Sequence, residues 1–395
     1  MNKKPLLIIF LTVFVDLVGF GIVIPLSPYL AREYGATAFE VGLLLAIYSG
    51  MQFLFSPFWG GLSDRFGRRP ILLMSIVMTA LANLLFFFAN SLPLLYVSRA
   101  LAGAFSANIA TAAAFIADVT EEKDRSKNMG LIGAAFGLGF VLGPAIGGVA
   151  AKVSEHFPAM IASVISAGNF IAAFFMLPES LSPDRRGKRE RKSRLRNIRE
   201  KIARPVIGTL LGSNFVVTFA MASMEATLFL FVADKFHWTM QKASYGFAFV
   251  GLCIAFTQGY LVRKLLPKYG ERVMLFWGVL MFSSSFVLIG LTQSIWILAI
   301  AMILLALGDG LLMPALTGSL SLLSTSQEQG EVMGVNQSLS ALARIFGPPI
   351  GGLLYARLSM ASPFYFSALL GYFALALIWA HRAHLPEFKE KAATA

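Results

Sequence analysis

Five ionisable residues interrupt sequence that is otherwise apolar: Asp16, Arg99, Glu225, Asp309 and Arg344. A charge in the middle of a hydrocarbon-length run costs about 2.5–3.5 kcal/mol on insertion scales, so its default reading is functional. A carboxylic acid in a dry helix bundle takes up a proton, then releases it when water or a cation approaches. Asp16, Asp309 and Glu225 supply the acids for such a relay, and Arg99 supplies a cation to govern one of them. Each has a plainer account beside it. Asp16 can bond Arg99 or another partner across helices, and Asp309, between Gly308 and Gly310, can pair with Arg344. Glu225 can meet a cationic substrate or lie near the outer interface, where a carboxylate is cheap. Other chemistry is poorly served. His156, His237, His381 and His384 fall in loops or at the ends of runs, and Cys253 is the single cysteine, so no metal set or disulfide is expected. Gly137–Gly143 spells G-x-G-x-x-x-G with no strand before it, which is not a dinucleotide fingerprint, and no G-x-S-x-G turn occurs. No catalytic residue, metal or cofactor is expected.

The elements that hold these residues follow from composition. Of 395 residues, 57% are hydrophobic and only 14% charged, which points to a bilayer as the solvent. The basic, apolar N-terminus lacks an A-x-A-type cleavage site and reads as a retained first span. Twelve runs are long enough to cross about 30 Å of hydrocarbon. They cover residues 5–31, 39–62, 70–90, 93–118, 127–151, 157–178, 205–233, 241–265, 272–291, 295–323, 330–357 and 362–382. With both termini cytoplasmic, 26 of the 33 Lys and Arg fall on the cytoplasmic side and five outside. The net charge of +12 therefore follows topology, and no nucleic-acid partner is expected. Residues 179–204 hold 11 basic and four acidic residues. The expected organisation is a six-helix bundle over 1–181, a basic cytoplasmic linker over 182–204 and a second bundle over 205–395. Leu195, Ile198 and Ile202 would let the linker lie on the inner leaflet as a basic amphipathic helix, and a solvated linker is the plainer alternative.

The halves resemble each other. FVLGPAIGGVAA (140–151) recurs in RIFGPPIGGLLYA (344–356), and GGLSDRFGRRP (60–70) has a worn counterpart in KYGERVML (268–275). Gly143, Pro144 and Gly147 match Gly347, Pro348 and Gly351 at an offset of 204, and Gly67 and Arg69 match Gly270 and Arg272 at 203. A duplicated six-span unit is a transporter architecture. Gly139, Gly143 and Gly147 form a smooth stripe beside a bend at Pro144, serving either tight packing or rocking contacts between halves. In the turn at 60–70, Arg65 suits a helix C-terminus, Gly67 a left-handed cap and Pro70 a first helical turn. Asp64 stands at the wrong end of its helix for an anion, so its partner is sought elsewhere, at the start of the eleventh span near Gly330. Asp118 has the same difficulty, and Arg68 or Arg69 can answer it. Such cross-links would latch one side of the molecule shut.

Gly61-Leu-Ser-Asp64-Arg65-Phe-Gly67-Arg68-Arg69 resembles the loop 2–3 signature of the major facilitator superfamily. VDLVGFGIVIPLSP, with Asp16, resembles the first-helix pattern of its drug:proton antiporter branch. SRALAGAF resembles the fourth-helix pattern through Arg99 and Gly103, and GLGFVLGPAIGG the antiporter pattern of the fifth. FIADVTEEKDRSKNMG is similar to the same region of tetracycline efflux proteins. The resemblance implies an all-α fold of twelve transmembrane helices in two pseudo-repeats, in a bacterial inner membrane. It implies a monomer that exports small amphipathic molecules in exchange for protons, with Asp16 as proton carrier and Arg99 in coupling. A metabolite importer on the same fold and a non-transporting receptor are the alternatives. The second-half copy of the turn lacks an Asp64, which implies a weaker latch there. Polar side chains on the spans suggest a pocket: Tyr48, Gln52, Asn108, Asn214, Asn336, Gln337 and Arg344.

Overall fold

A computed structural model describes residues 4–182, 184, 199–325 and 328–385. Backbone groups in a bilayer core must be satisfied within their own segment, and no strand occurs among the described residues. The helices are α1 (Lys4–Glu33), α2 (Ala38–Phe66), α3 (Arg68–Phe87), α4 (Leu92–Ala104), α5 (Asn108–Val119), α6 (Glu122–Ala150) and α7 (Phe157–Met176). Then come α8 (Pro205–Phe236), α9 (Met240–Phe256), α10 (Val262–Leu291), α11 (Ile295–Leu322), α12 (Gln329–Arg357) and α13 (Ser362–Ala380). Local signals set the ends. Thr37 and Glu40 exchange bonds as a capping box ahead of α2, and Ser294 caps α11.

Two details differ from the sequence reading, and the reversal at Gly270 falls where that reading puts a turn. The fourth span is broken into α4 and α5 at residues 105–107. Gly103 lets α4 approach α2 so closely that a β-carbon there would stand 2.3 Å from the Tyr48 carbonyl oxygen. The groups freed by the break find side-chain partners: Trp59 Nε1 donates to Ala104 O at 2.6 Å, and Ser75 Oγ accepts from Ala107 N at 3.1 Å. The eighth span carries a π-helical turn, Thr257–Leu261, and α10 contains a chain break in direction at Gly270 (φ 74°, ψ 170°), which separates the eighth span from the ninth. With that break counted and α4 joined to α5, the spans among the described residues number twelve.

The chain forms two compact units, Met1–Glu190 with Leu228–Gly251, and Arg191–Thr227 with Leu252–Ala395. The hairpin joining α8 to α9 thus clusters with the first unit rather than with the second half. Its ties there are specific. Arg32 grips the Asp234 carboxylate with both terminal nitrogens, and Tyr29 donates to Trp238 O at 3.0 Å. Phe140 and Phe247 meet with centroids 6.3 Å apart, and Gly251 lies against the Phe140 carbonyl. Leu195 and Ile198, expected on an amphipathic linker helix, lie outside the described residues.

The glycine stripe of α6 packs on α1. A β-carbon at Gly139 would stand 2.8 Å from Leu17 Cβ, and one at Gly143 would stand 2.7 Å from Gly21 Cα. In the second unit, a β-carbon at Gly347 would stand 2.7 Å from Phe219 O and one at Gly351 would collide with Ser223 Oγ, so these glycines hold α12 to α8 in the same way. The duplicated glycines therefore do duplicated work, each closing a helix pair inside its own half. Overpacking at either stripe costs about 1–3 kcal/mol.

Candidate functional site

The turn between α2 and α3 is an ionic knot. Gly67 has φ 109° and ψ 163°, a region that only glycine occupies without strain. That turn swings Arg68 inward, 3% exposed, where its guanidinium meets three partners. It contacts Asp64 Oδ1 at 2.7 Å, Asp118 Oδ2 at 3.0 Å and Ser63 Oγ at 2.7 Å. One expectation is corrected here and one open alternative is resolved. Asp64 finds its cation four residues on, inside the hairpin, rather than at the start of the eleventh span. Asp118 takes Arg68, while Arg69 points outward, donates to Phe174 O at 2.6 Å and lies over the Phe174 ring. Arg65 is exposed beside Phe66, and Gly61 is half-buried within α2.

Glu179, just beyond α7, completes the knot. Its carboxylate accepts from the backbone of Arg68 (2.8 Å) and Arg69 (3.2 Å), at the positive end of α3, and from Ser180 and Leu181. Ser180 Oγ donates to Asp118 Oδ2 at 3.1 Å. Sequence reasoning missed this pair; a lone Pro-Glu-Ser after a span was the only signal. The start of α12, where Asp64 was expected, is occupied differently. Glu328 accepts from Lys201 Nζ at 3.0 Å and from both terminal nitrogens of Arg204, at 2.9 and 2.7 Å. Lys201, 2% exposed, also reaches Glu331 at 3.5 Å. The hydrogen bonds from Arg204 and Lys201 pull the Glu328 carboxyl down to about 2.

Within the spans, Asp16 of α1 lies close to Asn108, the first residue of the half-helix α5. Its Oδ1 is sealed from solvent without a hydrogen-bond partner. Arg99 does not pair with it. That guanidinium, 5% exposed, donates to Asn83 Oδ1 at 3.2 Å and Ser98 Oγ at 3.3 Å and stacks 4.3 Å from the Phe86 ring centroid. Burial in a polar niche between α3 and α4 thus replaces the expected acid partner. In the second unit, Glu225 feels the charges of both Arg344 and Asp309. Asp309 is 9% exposed, flanked by glycines that press α11 onto Phe282 and onto Thr257 of the π turn.

The polar pocket candidates divide. Tyr48 and Gln52 of α2 both meet Ser106 Oγ at 2.9 Å, in the break between α4 and α5. Asn214, 2% exposed, donates to Ser340 Oγ at 2.7 Å and is a packing contact, not a pocket residue. Asn336 is buried, whereas Gln337 and Arg344 are exposed. Among the described residues, no group of three or more His, Cys, Asp or Glu is placed to hold a metal ion.

A family model described as Major Facilitator Superfamily matches residues 9–268 and again 264–394. The chain belongs to the Major Facilitator Superfamily. The tetracycline resistance protein, class B, of Escherichia coli is 33% identical over 374 residues, 90% of this chain and 89% of that one. Multidrug resistance protein 2 of Bacillus subtilis (strain 168) is 32% identical over 389 residues, 96% of each. Among solved structures, the human organic anion transporter MFSD10 (TETRAN) superposes with a TM-score of 0.74 at 26% identity, covering 95% of this chain and 99% of that one. A bacterial Spinster homologue, inward-facing and occupied, reaches a TM-score of 0.76 at 14% identity and shows the fold alone, covering 97% and 96%. The chain is a multi-pass membrane transporter of small molecules.

Proposed function

We propose that this transporter exports small amphipathic molecules, tetracycline-like compounds among them, from a bacterial cytoplasm in exchange for protons. Both termini and the Gly67 turn then face the cytoplasm, as the excess of Lys and Arg on that side requires. One observation carries the proton: Asp16 stands inside α1 with one carboxylate oxygen buried and unpartnered, at the N-terminus of a broken helix. Proton uptake removes an unpaired buried charge, and hydration of the same carboxylate restores it. Broken helices near mid-membrane are where transporters of this kind place coupling groups. Glu225 and Asp309, near Arg344, are second candidates for a titrating centre. Arg68, Asp64, Asp118 and Glu179 hold the cytoplasmic turn as one rigid piece that rocks with the first unit. The chain acts as a monomer, with its basic linker against anionic lipid.

The test is reconstitution of the purified protein into vesicles with an imposed pH gradient. Accumulation of tetracycline or a fluorescent amphiphile that tracks the gradient, and is abolished by a protonophore, supports the reading. Accumulation indifferent to the gradient overturns it.

A further inference from the structure

At the end of the first unit remote from the Gly67 turn, one histidine joins three segments of the chain. His156 stands just before α7. Its Nδ1 lies 3.1 Å from Phe87 O at the end of α3, and its Nε2 lies 3.0 Å from the Tyr34 hydroxyl just after α1. That hydroxyl also donates to Ala89 O at 2.9 Å. The ring therefore belongs to a chain of contacts that runs from Phe87 O through the imidazole and the Tyr34 hydroxyl to Ala89 O.

Counting hydrogens fixes the state of the ring. Both ends of the chain are backbone carbonyls, which only accept. Nδ1 must carry a hydrogen for Phe87 O, and the single Tyr34 hydrogen goes to Ala89 O. The Tyr34 oxygen is left to accept, so Nε2 must carry a hydrogen as well. An imidazole with hydrogens on both nitrogens is the cation. A neutral ring completes at most two of the three bonds. The surrounding charges favour the same state. Glu33 Oε2 lies 3.7 Å from Nε2, and Glu155, next to His156 in the chain, is exposed and negative. Arg32 is engaged with Asp234, Glu40 is held in its capping box, and Lys152 is exposed. The neighbouring ends of α3 and α7 carry no charged residue.

We infer that His156 is a proton-binding site whose proton completes a clasp between the ends of α1, α3 and α7. An imidazole changes charge between about pH 5 and pH 8, so the clasp is complete at the acid end of that range and loses a bond at the alkaline end. The effect reaches past the ring. The last turn of α1 before Tyr34 holds the α8–α9 hairpin, through Arg32 on Asp234 and Tyr29 on Trp238 O. A proton on His156 steadies the helix end that makes this hold. On the orientation proposed above, and resting on it, this end faces outward and the proton comes from the external medium.

The experiment uses the full-length protein in detergent. Nitrogen-15 spectra of histidine-labelled protein read the charge of each ring, with the His156 signal assigned by its loss in His156→Gln. A second sample, spin-labelled at Phe39 and Lys152 in a Cys253→Ser background, reads the clasp. From pH 5.5 to pH 8.5 the distance distribution should widen at least twofold, in step with the loss of charge at His156. Tyr34→Phe cuts the chain of contacts, so His156 should still titrate while the distribution is wide at every pH. A narrow distribution that persists once His156 is neutral overturns the inference. So does a neutral His156 at pH 5.5, or a Tyr34→Phe protein whose distances follow pH as in the unaltered one. The orientation fails separately. A membrane-impermeant maleimide that leaves Lys152→Cys unlabelled in intact cells defeats the outward placement alone and leaves the proton site standing.

Discussion

The turns at Gly67 and Gly270 are copies in backbone and opposites in charge. Both glycines carry positive φ, 109° and 74°, with extended ψ, and they stand at the repeat offset of 203. The flanking residues diverge: Asp64 corresponds to Pro267, and Arg68 to Glu271. The first turn gathers Arg68, two aspartates and the Glu179 cap. In the second unit the dominant ion cluster lies elsewhere, where Lys201 and Arg204 meet Glu328 and Glu331 at the head of α12. Duplication has preserved the reversal of direction, which topology demands, and released the electrostatics, which each half has rebuilt.

The sharpest way to break this comparison is Arg68→Ala. Removing Arg68 leaves Asp64 and Asp118 facing each other without a cation, at a cost of about 1–3 kcal/mol. Arg68→Ala should therefore lower the thermal midpoint and cut transport severalfold. Scanning calorimetry of the purified variant reads the loss, and an unchanged midpoint would mean that the knot adds no stability to the first unit. Asp64→Asn should fall between Arg68→Ala and the unaltered protein, since the amide still accepts one bond from Arg68.

Gly67→Ala and Gly270→Ala come next. Each forces an L side chain into a conformation that costs about 1–3 kcal/mol. At Gly67 the new β-carbon would also stand 2.2 Å from Glu179 Oε2 and evict the cap. Gly67→Ala should be the more damaging, and adding Glu179→Ala to it should then cost little more. Fully additive losses in a double-mutant cycle would show that the cap and the turn are independent.

The smallest effect concerns pH. The Glu328 carboxyl is held down to about 2 by Arg204 and Lys201, below its ordinary value near 4. For a depressed carboxyl, the contribution is complete above the ordinary value and is lost as pH falls through about 2. The distance between spin labels at Ala203 and Met333, in a Cys253→Ser background, should stay constant from pH 8 to pH 5. Separation within that range would place the junction on some other titrating group.

The fold was legible because the bilayer makes length and apolarity nearly sufficient, and because Gly143, Gly347, Gly67 and Gly270 mark the same backbone events twice. The break in the fourth span was not. Phe105, Ser106 and Ala107 are ordinary residues, and the break depends on Trp59 and Ser75 from other helices. Partners were the least legible. The dipole of its own helix offers Asp64 no cation, but the turn returns Arg68 over the same helix end. Arg99 is one of the partners the sequence offers Asp16, yet its niche is built from Asn83, Ser98 and an aromatic face. Pairing across helices depends on rotation about each axis, which periodicity leaves open.

The most direct test of the account asks which unit carries the proton. Asp16→Asn, Asp309→Asn and Glu225→Gln proteins are compared in vesicles, each for accumulation driven by a pH gradient and for exchange at equal pH. Asp16→Asn should abolish gradient-driven accumulation and leave exchange largely intact, because it fixes the neutral form with little change of volume. An Asp16→Asn protein that still concentrates substrate against its gradient would contradict the account and move the proton to the second unit.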